Sequence, residues 1–267
     1  MRGQEPDRRR PLRERVPDGD TGAMTPATKL SIERDGFAVV PEALDAPTVA
    51  ALTAAVGGAR DGAGSQRRGS VYALRNLLED VPEVTALADA PEVRALVAPI
   101  LGPDCFPVRG ILFDKTPEAN WNVVWHQDLS IAVRERRDVE GFGPWSEKAG
   151  VIHVQPWAWV LERMLTVRLH LDDCDETNGP LLVLPGSHRS GRLTAAEIQH
   201  RRTFTASVPC PVPVGGALLM RPLLLHASSA SQSPRHRRVI HLEYAAEPLP
   251  AGLQWYQNEK CQTVTLP

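Results

Sequence analysis

The sequence of 267 residues is poor in the features that would remove it from ordinary intracellular chemistry. Its four cysteines, Cys105, Cys174, Cys210 and Cys261, lie far apart with no C-x-x-C pair. That spacing argues against a disulfide framework and a structural zinc knuckle, so the thiols are expected to be reduced. No apolar run reaches the ~18–20 residues of a membrane span, and the N-terminus lacks the hydrophobic core of a signal peptide. The formal net charge is only -2, which gives no broad basic field. Neither nucleic acid nor an anionic membrane is therefore implied as a partner. The protein is expected to be soluble and cytoplasmic, with small-molecule chemistry left open.

Along the chain, residues 1–28 combine Arg8-Arg9-Arg10 with several acids, glycines and prolines and almost no apolar residues. Such a segment cannot repay the entropy of ordering and is expected to be a disordered tail. Met24 is an alternative start. Residues 29–267 read as a single domain. Phe37 to Val40 form a short strand, and Asp45 with Pro47 opens a helix that Gly57-Gly58 stops. Gly62 to Gly69 reads as a mobile loop. Pro82 to Ala90 and Pro91 to Leu101 are two further short helices.

After Pro107 the periodicity turns from helical to alternating. Strands are expected over Arg109 to Lys115, around His126, over Leu165 to Leu171 with a second hairpin arm at Leu181 to Leu184, over Val214 to Met220, and over Arg237 to Tyr244. Thr194 to Glu197 carries a capping-box pattern for a short helix. Residues 134–160 look long and irregular, with Trp145, Trp157 and Trp159 among Gly and Pro. Loops of this length are usually functional, and the tryptophans argue that this one packs on something, so it reads as a lid. Many short strands with helices at the front point to a mainly β fold with flanking helices, a double-stranded β-helix of the jelly-roll, cupin-like kind.

The chemistry begins at Trp125-His126-Gln127-Asp128. On a strand, residues two apart share a face, so His126 and Asp128 present an imidazole and a carboxylate side by side. A distant His226 completes two histidines and one carboxylate, the facial set that leaves three octahedral positions open on Fe(II). Zinc would accept the same ligands. Arg237, eleven residues after His226, could return on a tight hairpin beside the ligand strand and clamp a carboxylate bidentately, with the Ser228 hydroxyl as a further donor.

His126-Gln127-Asp128, Asn178-Gly179-Pro180-Leu181, Pro185-Gly186-Ser187-His188 and His226-Ala227-Ser228 followed by Arg237 resemble, as a set, the phytanoyl-CoA dioxygenase family of Fe(II)/2-oxoglutarate oxygenases. The likeness runs from about Ile32 to Tyr244. It implies iron on His126, Asp128 and His226, and 2-oxoglutarate on Arg237 with Ser228 and Gln127 assisting. Oxidative decarboxylation of that co-substrate with O2, giving succinate and CO2, would then attack an unactivated C–H, usually by hydroxylation. Asp128 is intact, whereas halogenating relatives carry a small residue there. Alternation alone would turn Gln127 away from the metal. Arg168 and His170 share a face with Thr166 on a strand that resembles one lining the co-substrate pocket, so Thr166 is a co-substrate candidate. Arg168 and His170 are substrate candidates, unless they simply face solvent; in the pocket they would imply a substrate with a carboxylate, a phosphate or several hydroxyls, with Arg168 binding either it or the oxo acid. Lys115, His241 and Trp157 are further candidates for substrate contact. His188 reads as structural, His153 as lid surface, and Trp121 and Trp125 as core or rim aromatics. A metal-dependent hydrolase and a catalytically silent binding protein are the competing readings; Arg237 with Ser228 argues against the first, and the complete triad against the second.

Overall fold

The front of the chain folds into helices because its caps are written locally. The computed structural model describes residues 24–59, 65–68, 70–232 and 235–257. Helix α1 (Pro26–Asp35) opens on Thr25, whose side chain accepts the Thr28 amide, and closes at Gly36 with φ +89°. It overlaps the end of the segment expected to be a tail; the rest of that segment, residues 1–23, lies outside the described residues. The Thr-Pro start and the Gly36 stop were the available signals. Helix α2 (Ala46–Gly58) is capped by Asp45 and buries Val49, Leu52 and Val56. Helices α3 (Leu77–Asp80), α4 (Pro82–Ala88) and α5 (Pro91–Leu101) follow.

These helices cover one face of a seven-stranded sheet. Its strands are β1 (Phe37–Val40), β2 (Ser65–Arg68), β3 (Ser70–Leu74), β4 (Phe106–Lys115), β9 (Leu165–His170), β12 (Ala217–Met220) and β14 (Arg237–Ala245), in the spatial order β1-β12-β9-β14-β4-β3-β2. The four residues of β2 fall inside the stretch expected to be a loop, paired with β3. Val167, Leu169, Ala217, Leu219, Ile240 and Leu242 point to the helices and join one apolar cluster with Val56, Leu96 and Val97. Burying one such aliphatic side chain contributes about 1.5–3 kcal/mol. The other face, carrying Arg168, His170, Arg237 and His241, turns toward a second sheet.

That second sheet has four strands, β11 (Val208–Cys210), β10 (Leu181–Val183), β13 (His226–Ser228) and β5 (Val123–His126), in the order β11-β10-β13-β5. The two sheets make the jelly-roll sandwich. Two connections read as hairpins are instead crossings between sheets: β9 and β10 lie in different sheets, as do β13 and β14. Arg237 therefore faces the ligand strand across the sandwich instead of lying beside it. Alternation reports which face a residue takes, and it is silent about the sheet.

The segment 134–160 also departs from its reading. Strands β6 (Ile131–Val133), β7 (Trp145–Lys148) and β8 (Val151–Val154) form a separate three-stranded sheet, followed by α6 (Ala158–Glu162). Ile131, Val133, Phe142, Val154, Val160 and Leu161 are buried in one cluster with Val108, Leu223, Ala245, Leu249, Leu253 and Trp255. It is folded structure with a short irregular stretch, because its apolar residues had a core to bury in. Thr194 caps α7 (Ala195–Phe204) with both bonds of the capping box present. Cys105, Cys174 and Cys210 are free and buried, while Cys261 falls outside the described residues.

The crossing from β9 to β10 depends on Gly179, which has φ +62° and whose missing Cβ would stand 2.6 Å from the Ser229 carbonyl oxygen. Gly179→Ala is expected to lower the unfolding free energy by about 2 kcal/mol or more, from left-handed backbone strain and that backbone clash together. Urea unfolding followed by circular dichroism measures it; a change within error of zero would refute the role given to this glycine.

Candidate metal centre and its cavity

Strands β5 and β13 run antiparallel with His126 directly opposite His226, and the two imidazole rings sit 4.2 Å apart, centre to centre. Just past β5 the Asp128 amide donates to the Pro222 carbonyl at 2.9 Å, and the carboxylate lies near the Nε2 atoms of both rings. Nε2 of His126 is 3.7 Å from Oδ1, and Nε2 of His226 is 3.7 Å from Oδ2. One ligand atom from each residue lies within 4.8 Å of the others.

The donor set suits a divalent cation. Nδ1 of His126 lies 2.8 Å from the Val124 carbonyl, and Nδ1 of His226 lies 2.9 Å from the Leu224 carbonyl. A carbonyl only accepts, so each Nδ1 carries the ring proton and each Nε2 keeps its lone pair toward Asp128. Oδ2 of Asp128 is buried with no hydrogen-bond partner, a cost that a cation would remove. Burial alone would raise the Asp128 carboxyl, but His226, His241, His126 and Arg109 outweigh it and hold it well below the usual carboxylate range. Burial pushes His226 down to about 4, against the pull of Asp128. Both groups are thus in their ligating forms at neutral pH.

A cavity of about 140 Å³ opens beside the triad, walled by Phe113, Trp121, Val123, Leu181, Arg168, Arg237, Ser228 and His241. Arg237 is buried, and its guanidinium donates to the Gly179 carbonyl. Lys115, opposite it in the sheet register, donates to Ser228 Oγ at 3.2 Å and to the Ser229 carbonyl at 2.5 Å. Burial, then the nearby Arg237, lower its amine to about 7. The triad thus sits on the four-stranded sheet, while Arg237 and Lys115 stand opposite on the seven-stranded one. Arg168 is buried with its Nη1 on His241 Nδ1 at 2.8 Å; burial, with Arg237 adding to it, lowers its guanidinium to about 10.

Five candidates from the sequence do not line the cavity; Lys115 stands behind it, on Ser228 and the Ser229 carbonyl, and the other four are elsewhere. Gln127 is buried, but its amide donates to the Gly191 and Leu223 carbonyls at 2.8 and 2.7 Å and accepts from the Leu193 amide at 2.8 Å. Its bonding is spent on backbone, and its face is the one that strict alternation gave it. Trp157 is 46% exposed; its indole donates to the Glu140 carbonyl, and the ring lies over Gly141. Thr166 and His170 are buried on the inner face without lining the cavity, and both Thr166 Oγ1 and His170 Nδ1 lack partners. Burial, with Arg168 and Arg237, holds His170 neutral. His153, read as surface, is buried with Nδ1 against the Val151 carbonyl at 2.9 Å. Phe113 was missed although it shares the parity of Lys115 on β4. Glu243 and Arg109, behind His241, share the parities of Arg237 and Lys115 and could have been found the same way.

Two outcomes follow. Co(II) is expected to bind with one site per chain, seen in its visible absorption bands, and Asp128→Ala or His226→Ala should remove that site; retention of tight binding by either variant would refute the assignment. Burial holds both His226 and His153 near 4, below the ordinary 6.5. Between those values the unfolded chain takes up protons that the folded chain refuses, so stability present above pH 6.5 is lost as pH falls toward 4. Thermal unfolding of the metal-free protein at pH 7, 5.5 and 4.5 should show the decline, and His153→Gln should lessen it.

A comparison of the sequence with curated proteins finds no match. The profile of the family "Phytanoyl-CoA dioxygenase (PhyH)" matches residues 32–239. Among solved structures, AviO1 from Streptomyces viridochromogenes Tue57 is 26% identical with a TM-score of 0.61, covering 84% of this chain and 95% of its own. SnoK, a non-haem alpha-ketoglutarate-dependent carbocyclase from nogalamycin biosynthesis, has a TM-score of 0.66 at 17% identity, covering 85% and 86%. EctD from S. alaskensis, solved with 2-oxoglutarate and 5-hydroxyectoine, has a TM-score of 0.66 at 19% identity, covering 88% and 79%. The family match and these folds agree with the two-histidine, one-carboxylate centre: the chain belongs to the phytanoyl-CoA dioxygenase family of non-haem iron, 2-oxoglutarate-dependent oxygenases.

Proposed function

We propose that the protein hydroxylates an unactivated C–H of a small polar metabolite, with iron on His126, Asp128 and His226 and 2-oxoglutarate reaching from that centre to Arg237. The observation that carries this reading is the opposition across one cavity of a facial triad and a buried, carboxylate-free Arg237. Iron held there would let O2 oxidise both partners, one oxygen atom entering succinate as 2-oxoglutarate loses CO2 and the other entering the hydroxylated substrate. The chain's own residues supply position. Arg237 offers a planar fork for the distal carboxylate, Lys115 a second cation, and Ser228 a hydroxyl donor shared with Lys115. Phe113, Val123, Leu181 and Trp121 keep the cavity wall apolar, which strengthens every charge contact inside it. Zinc hydrolysis would need the triad but has no use for a second, buried carboxylate clamp.

Succinate formation from 2-oxoglutarate with Fe(II) under air is the direct assay. Wild type is expected to show slow, metal-dependent turnover even without its substrate, and His126→Ala none. Arg237→Ala should raise the KM for 2-oxoglutarate by about 10- to 100-fold, the worth of a lost charged hydrogen-bond pair. Unchanged KM in that variant would sink the clamp, and metal-dependent ester hydrolysis without O2 uptake would favour the hydrolase.

A further inference from the structure

We infer that Arg168 is the anchor for a carboxylate carried by the substrate itself, so that the enzyme acts on small organic acids; this rests on the oxygenase reading above. Arg168 is only 7% exposed and lines the cavity. Among the described residues no carboxylate pairs with it. Asp128 is the one carboxylate in the cavity wall, and its two oxygens lie 3.7 Å from Nε2 of His126 and of His226. A buried guanidinium in that situation is costly until an anion completes it.

Its neighbours account for one corner of the guanidinium. Nη1 donates to His241 Nδ1, and because a guanidinium only donates, that nitrogen must be unprotonated. The ring proton therefore sits on Nε2, which faces Glu243 Oε1 at 3.2 Å. Glu243 is held in turn by Arg109 at 3.2 Å. Phe113 meets His241 edge-on and lies 5.6 Å beneath the Arg168 guanidinium. The relay pins Arg168 at Nη1 and leaves the edge formed by Nε and Nη2, of which Nε is buried without a partner. Elsewhere in the molecule the same edge of Arg238 grips Asp172, Nε to Oδ2 at 2.8 Å and Nη2 to Oδ1 at 2.5 Å. A substrate carboxylate would take the Arg168 edge in that way.

The co-substrate has other places for its charges. One carboxylate goes to Arg237 and the other end to the metal residues. His241, which holds Arg168, is four residues from Arg237 on β14, about 13 Å along a strand. A five-carbon diacid spans at most about 6 Å over its four C–C bonds. Arg168, paired in register with His241 on the neighbouring strand, thus gives the cavity wall a second cationic point set apart along the sheet from Arg237.

The test measures binding and needs no turnover. Protein is loaded with Mn(II) and N-oxalylglycine, a non-reacting analogue of 2-oxoglutarate, and titrated by calorimetry with acids and their amides: phenylacetate and phenylacetamide, hexanoate and hexanamide, N-acetylalaninate and N-acetylalaninamide. In the wild type, at least one acid is expected to bind about tenfold or more tightly than its amide. Arg168→Gln should erase that preference while changing N-oxalylglycine affinity by less than about threefold, and Arg168→Lys, which keeps the charge without the fork, should lose most of it. Equal affinity for acid and amide in every wild-type pair would overturn the inference. So would a loss of N-oxalylglycine affinity in Arg168→Gln as deep as in Arg237→Ala, which would give Arg168 to the co-substrate. Should the glutamine variant fail to fold, full acid preference in Arg168→Lys would overturn the fork. Failure of the wild type to bind Mn(II) with N-oxalylglycine would instead strike the oxygenase reading, and this inference with it.

Discussion

The antiparallel pairing of β5 with β13 is the constraint on which the centre depends. It sets His126 opposite His226, and the carbonyls of Val124 and Leu224, each two residues before its histidine, fix both ring tautomers. A slip of one residue would turn one imidazole to the other face of the sheet. Gln127 guards against this from behind, since its amide ties the turn after β5 to the backbone at Gly191, Leu193 and Leu223. What resembled a co-substrate contact is a brace for the strand that carries two of the three candidate ligands.

The opposite sheet answers with positive charge. Lys115, Arg168 and Arg237 are buried on its inner face, and burial lowers the pKa of all three. Proteins tolerate such a cluster where anions are to be bound, because the desolvation already suffered by the cations strengthens their attraction for an incoming carboxylate. Glu243 is not available to neutralise them, being held by Arg109 and His241. The energetic cost of the cluster and its capacity to take acidic ligands have the same origin.

Much of this was legible in the residues taken alone. Caps at Asp45 and Thr194, and the strands carrying Lys115, Arg168, Arg237 and His241, follow from patterns a few residues long, and so does the facial pair His126 and Asp128. The errors came where a local pattern had two tertiary outcomes. Leu165 to Leu184 alternates and turns as a hairpin would, yet Gly179 carries the chain across to the other sheet. Residues 134–160 are rich in Gly, Pro and Trp, as a lid would be, yet their apolar side chains are buried against Val108, Ala245, Leu253 and Trp255. Trp157 accordingly packs on Gly141, outside the cavity wall.

Residue types and their parity were enough to say which chemistry the chain can hold: two imidazoles, a carboxylate and an arginine clamp, in an order that suits iron and an oxo acid. Parity is a property of the backbone pleat and survives any arrangement of the sheets. Only the sandwich decided that Arg237 faces the triad instead of flanking it, that Gln127 spends its amide on the backbone at Gly191, Leu193 and Leu223, and that Arg168 lines the cavity with Nη1 on His241 and Nε unpaired. Those facts depend on which strands are neighbours, and that is settled by burial of the whole core, not by the few residues of any one strand.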